Sequence, residues 1–214
     1  MEKKEIHITD RDTAIMHLIN DFRFCLGRHI KILANFSSLR VCDRRLKRLV
    51  EAGYLARKKY LYGVPYLYTL THKGKMYLGE NKRLEKIRID RINHDVAVLD
   101  VLVFYNKGHG ISLNNIISER TLHSQAGFGA RKHCPDFVII DGEEKHAVEI
   151  EITPKEKSRL DKNVQDNYLK YNRQIWFTDN NKVRSMIEHQ KEKFLDVELR
   201  SMSEVKHYVA NLME

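Results

Sequence analysis

The chain of 214 residues is 42% hydrophobic and 31% charged, with three prolines, three cysteines and a formal net charge of +9. That balance belongs to one or two folded domains rather than a disordered chain, no apolar run reaches bilayer-spanning length, and Cys25, Cys42 and Cys134, odd in number and far apart, show neither a disulfide framework nor zinc spacing. The charge is uneven: residues 1–89 carry 20 Lys and Arg against 9 Asp and Glu, the remainder 18 against 20, which is the asymmetry of a chain with a nucleic-acid-binding half.

The polar start, Met-Glu-Lys-Lys-Glu, has no apolar h-region, so a secretory signal is not expected and a cytoplasmic location is. Thr9 or Asp10 can cap a first helix running to about Phe24, with Ile15, Leu18, Ile19 and Phe22 on its core face. A short second helix, 28–35, follows. Ser37-Ser38 then caps a third, to about Ala52. On this third helix Leu39, Cys42, Leu46, Leu49 and Val50 fall to one side, and Arg40, Arg44, Arg45, Lys47 and Arg48 populate the other. Gly53 is placed to end it in the left-handed conformation. A strand with basic and aromatic residues, 54–62, turns at Gly63-Val64-Pro65 and returns over 66–70, and Thr71-His72-Lys73-Gly74 opens another helix.

Three helices followed by a basic hairpin strongly resemble the winged-helix DNA-binding domains, over about residues 9–80. The resemblance implies that the third helix enters the major groove of double-stranded DNA and that Arg57, Lys58 and Lys59 on the wing touch phosphates. Any one of these cations would equally suit a solvated helix face, and winged helices also dock on proteins or pair as homodimers.

The charged stretch 79–91 is read as the joint between a domain 1–88 and a domain 89–214. Beyond it the pattern is α/β: a helix 92–105, broken at Gly108-His109-Gly110; an indistinct stretch 111–134; strands 137–140 and 147–152; a polar helix 155–171; then strand 173–178, helix 180–193, strand 195–199 and helix 203–212. If Asp141–Glu144 is a four-residue loop, Ile140 faces Lys145 and, counting back, Asp136 faces Glu149. Opposed strand residues hold their Cβ atoms roughly 4.5–5.5 Å apart. Glu151 shares the face of Glu149 because side chains alternate along a strand. Three converging carboxylates repel one another unless a hard divalent cation, Mg²⁺ or Mn²⁺, neutralises them. The plainer alternative is a hairpin with its polar face in water.

Pro135-Asp136 followed by Glu149-Ile150-Glu151 resembles the PD-(D/E)xK nuclease superfamily, whose core is a mixed sheet flanked by helices, as in restriction endonucleases. The superfamily's usual lysine is replaced by Glu151. Lys155 or Lys162 could supply the positive charge, and Gln165 and Tyr168 are placed to line the cleft. The stretches HDVAVLDVLV from His94, SER from Ser118, HCPDFVII from His133, AVEIEIT from Ala147 and IWFTDN from Ile175 look like the replication-relaxation family, which includes the MOBC-type mobilisation relaxases. That resemblance implies an α+β chain, winged helix then nuclease-like domain, that nicks one DNA strand at an origin of transfer in plasmid or mobile-element mobilisation. It also implies a relaxosome accessory or coupling protein as partner. By position His94, His133, Asp136, Glu149 and Glu151 match its catalytic residues, and Tyr168 and Tyr171 are candidate nucleophiles. The other reading is a DNA-binding accessory or transcriptional regulator whose nuclease-like domain is inactive, which Glu151 in the lysine position favours.

Overall fold

Thr9 decides where the first helix starts. In the computed structural model, which describes residues 6–80, 84, 86–126, 133–154 and 156–213, the Thr9 hydroxyl accepts the Asp12 N–H while the Asp12 carboxylate accepts the Thr9 N–H at 2.8 Å. This reciprocal cap opens α1 (Asp10–Phe22). There follow β1 (Cys25–Leu26), α2 (Gly27–Leu33), α3 (Leu39–Glu51, capped by the Ser38 hydroxyl), β2 (Leu55–Lys58), β3 (Leu67–Leu70) and α4 (His72–Tyr77). The strands form an antiparallel sheet in the order β1-β3-β2, with Cys25 opposite Tyr68 and Leu55 opposite Leu70. Ile15, Ile19, Ile30, Leu46, Leu49 and Leu55 are fully buried in its core. Cys25 and Cys42 lie there as free thiols; burial and then Asp43 push Cys42 up to about 12, which leaves it protonated and inert.

Gly53 ends α3 with φ +79°, as its position after Ala52 foretold. Gly74 answers a different need. A Cβ there would stand 2.3 Å from the Tyr54 carbonyl oxygen, which is itself fixed by the Thr71 N–H and hydroxyl. Gly74→Ala must therefore push α4 off the hairpin, at a cost of about 3 kcal/mol. Thermal denaturation checks this: the midpoint should fall by about 10 °C or more, and a shift below about 2 °C would contradict it.

The chain divides into two compact units, one up to Leu99 and one from Asp100 to Leu212, so the division falls inside α5 (Ile92–Val103). A π-helical turn over 104–108 extends α5. The second unit continues through β4 (Ile116–Ser118), α6 (Glu119–Ala126), β5 (Phe137–Asp141), β6 (Glu144–Ile150), α7 (Lys157–Tyr168), β7 (Arg173–Phe177), α8 (Asn181–Lys191), β8 (Val197–Arg200) and α9 (Met202–Asn211). Its mixed sheet has the order β4-β5-β6-β7-β8, antiparallel up to β6 and parallel from β6 to β8. The protein is thus a mixed α/β, α+β chain with two separate sheets.

Strand alternation assigns the two faces of the second sheet. Trp176 lies opposite Glu149 and packs with Leu160 and Val164 of α7 and Val183 and Ile187 of α8. Phe137, Val148, Ile175 and Phe177 point the other way, where the Phe104 and Tyr105 rings at the end of α5 pack edge-on against Phe177. Both faces are covered, which is why β6 is buried throughout its second half. Among the described residues no helix is long and apolar enough to cross a membrane.

Candidate nucleic-acid interface and buried carboxylates

Helix α3 displays Arg40, Arg44, Lys47 and Arg48 to solvent, and the Lys47 ammonium reaches only a loose 3.8 Å pair with Glu51. Arg45 behaves differently. Its Nε donates to Asp12 at 2.8 Å, its guanidinium pairs a second time with the same carboxylate, and it donates to the His7 carbonyl at 2.7 Å. Arg45, expected among the DNA contacts, is a structural tie between α3 and α1. Three residues after Cys42 and four before Leu49, it lies at the edge of the core stripe, not at the centre of the polar face. Burial alone would raise the Asp12 carboxyl; the hydrogen bonds from Arg45 and Thr9 and the Arg45 charge outweigh it and hold the group below its ordinary 3.8.

On the hairpin each of the expected cations lies over an aromatic ring. The Arg57 guanidinium lies 3.9 Å from the Tyr66 centroid, the Lys58 ammonium 5.1 Å from Tyr60 and the Lys59 ammonium 5.7 Å from Tyr62. All three cations are exposed, and Tyr62 is 99% exposed at the tip.

In the second unit the register between β5 and β6 is the expected one. Ile140 faces Lys145 and Phe137 faces Val148, so Asp136 stands beside Glu149 at the end of the ladder. The turn is tighter than expected: Asp141 pairs with Glu144, and Gly142, at φ +61°, and Glu143 make the corner. Asp136 Oδ2 accepts the Ile150 N–H at 2.8 Å. Glu149 is 3% exposed, and its Oε1 accepts from the Asn167 amide at 2.9 Å and meets His133 Nε2 at 2.5 Å. Glu151 is 2% exposed and its N–H donates to the Phe177 carbonyl at 2.9 Å.

His133 is therefore brought to Glu149. His94 belongs to the first unit, where its Nδ1 lies 3.3 Å from Asp95 and 3.4 Å from Arg91. From α7 it is Asn167 that reaches the carboxylate. Gln165 is exposed, and Tyr168 is half exposed with its ring on Phe194, 4.8 Å between centroids. Residue 167 follows Leu160 by seven and Val164 by three, so it sits on the buried stripe that 165 and 168 leave. Lys162 is exposed and Lys155 lies outside the described residues. Burial first, then the Cys134 thiol and the Glu149 carboxylate, push the Tyr171 phenol up to about 12, which opposes its use as a nucleophile.

The expected Mg²⁺ or Mn²⁺ would need oxygen donors free to ligate it. Oxygen donors suit such ions, but Glu149 Oε1 already serves His133 and Asn167, and Asp136 Oδ2 already serves Ile150. Among the described residues no three His, Cys, Asp or Glu side chains are grouped so as to hold a metal. One oxygen of Asp136 and one of Glu149 are thus engaged by the protein's own donors. Set against protein-family models, curated proteins and solved structures, the chain matches none.

Proposed function

We propose that this protein binds double-stranded DNA through a winged helix, α1-β1-α2-α3-β2-β3, as an accessory or regulatory factor rather than as the cutting enzyme. The observation that carries this reading is the exposed row Arg40, Arg44, Lys47 and Arg48 on α3 together with a hairpin whose Arg57, Lys58 and Lys59 stand over tyrosine rings. The strand order β1-β3-β2 and the +11 excess over residues 1–89 support it. Helix α3 reads the major groove and the hairpin grips the backbone. The second unit, with its helix-led mixed sheet and Asp136 beside Glu149, is a nuclease-like scaffold whose carboxylates are held by protein donors.

The test is anisotropy of a labelled duplex of about 30 base pairs, long enough for counterion release to be read across several salt concentrations. The quadruple variant Arg40→Gln, Arg44→Gln, Arg57→Gln, Lys58→Gln should bind at least about 100-fold more weakly at 0.1 M salt, with a visibly shallower salt slope. Equal binding by the variant, or no duplex binding by the native chain at low salt, would remove the proposal. Strand nicking for plasmid or mobile-element mobilisation is the second reading, and Asp136 facing Glu149 favours it. Mg²⁺- or Mn²⁺-dependent nicking of supercoiled plasmid, lost in Glu149→Gln, would replace the accessory role with the enzyme.

A further inference from the structure

A cleft of about 520 Å³ opens in the first unit between the start of α1 and the flank of α3. Four arginines line it: Arg11, Arg44, Arg45 and Arg48. Arg45 is neutralised by Asp12, but among the described residues neither Arg11, Arg44 nor Arg48 has a carboxylate partner. The Arg11 guanidinium lies 4.9 Å from the Phe36 centroid, so the ring fixes its plane while its edge stays available. Phe36 and the half-exposed Val41 give the cleft an apolar floor. The only uncommitted acid on the lining is Asp10, at the exposed rim. The first amides of α1 contribute little, because Thr9 and Asp12 already cap them; the arginines carry the site.

Three like charges around one cleft repel one another until an anion enters. Planar guanidinium forks match tetrahedral oxyanions and bind them in bidentate fashion. We infer that this cleft is a phosphate site in which Arg11, Arg44 and Arg48 grip phosphate oxygens. Two sources offer that chemistry: a backbone phosphodiester of bound DNA at the edge of the groove that α3 enters, or the phosphate of a small molecule. The first source rests on the DNA-binding reading above; the second does not. Arg11 stands on a different helix from every other cation assigned to DNA, so it separates this site from the α3 and hairpin contacts.

The experiment uses the full chain and the variant Arg11→Gln, an exposed position on α1 that the α3 and hairpin contacts do not use; Arg11→Lys keeps the charge and removes the fork. Far-UV circular dichroism checks that each is folded. One arm measures duplex affinity from 0.05 to about 0.3 M salt, where each lost phosphate contact should lower the log–log slope by about 0.9. The other arm titrates inorganic pyrophosphate against the thermal midpoint. A slope reduced by about 0.9 in Arg11→Gln assigns the site to the DNA backbone. An unchanged slope with a pyrophosphate-induced shift present in the native chain and absent in the variant assigns it to a free phosphate. If neither quantity differs between native and variant chains, the phosphate site is wrong. If the native chain binds no duplex at all, the DNA-binding reading fails and the pyrophosphate arm alone decides the cleft.

Discussion

Asp12→Ala will destabilise the first unit by about 3–4 kcal/mol, because it leaves the Arg45 guanidinium without its buried counter-charge and opens the Thr9 cap as well. The Asp12 side chain is 1% exposed and that of Arg45 18%, so solvent cannot stand in for the lost partner. Chemical denaturation should show the loss, and hydrogen exchange should accelerate across α1 and α3 together, since the pair ties those helices. Asp12→Asn, which keeps the shape and accepts hydrogen bonds without charge, should cost about half as much. A drop below about 1 kcal/mol for Asp12→Ala would mean that the pair is no more than a surface contact. The pH dependence has a definite sign. The folded carboxyl is held below its ordinary 3.8, so the unfolded chain binds the proton more readily. The contribution is complete above that value and is lost as pH falls through the lower, folded one. The native chain should therefore weaken in acid more steeply than Asp12→Asn, and the two curves should converge below the folded titration.

Asp12 and Arg45 also show how far the sequence could be read. The α3 stripe and its Gly53 stop were visible in residue spacing, and so were the hairpin and the β5–β6 register. All of these are set by neighbours a few residues apart. Arg45 was assigned to the polar face by residue type, although its place relative to Cys42 and Leu49 already put it at the edge of the core stripe; its partner, 33 residues away, could not be read locally. β1 escaped because a strand of two residues, Cys25–Leu26, has no period to detect and exists only through β3. A family pattern favours Gln165 and Tyr168 over Asn167 on α7. Helical spacing from Leu160 and Val164 pointed to Asn167. What the sequence alone could not supply was the occupancy of the carboxylates. Counting along the hairpin gives the register from Phe137–Val148 to Ile140–Lys145, but whether a cation or the protein's own donors face Asp136 and Glu149 depends on how His133 and α7 close over the sheet.

That closure gives the second large effect. His133→Ala should cost about 3 kcal/mol, because Glu149, 3% exposed, keeps only the Asn167 amide on the oxygen that His133 met. Glu149→Gln should cost about 1 kcal/mol, since its amide oxygen can still accept from Asn167 and no buried charge remains. The double variant His133→Ala, Glu149→Gln should then be more stable than the sum of the two losses allows, by at least about 1 kcal/mol, because the penalty of an unpaired carboxylate is gone. Trp176 reports on this directly. It is the only tryptophan in the sequence, it is fully buried, and it sits opposite Glu149 on β7, so urea denaturation followed by its fluorescence reads the unit in question. Strict additivity would show that His133 packs beside Glu149 without a hydrogen bond that supports it, and the carboxylate would again be open to a cation. Coupling of the expected size would make Glu149 a structural anchor held by the protein. Because Glu149→Gln stays folded in either case, it is also the fair negative control for any nicking assay: cleavage lost in that variant could not be blamed on an unfolded sheet.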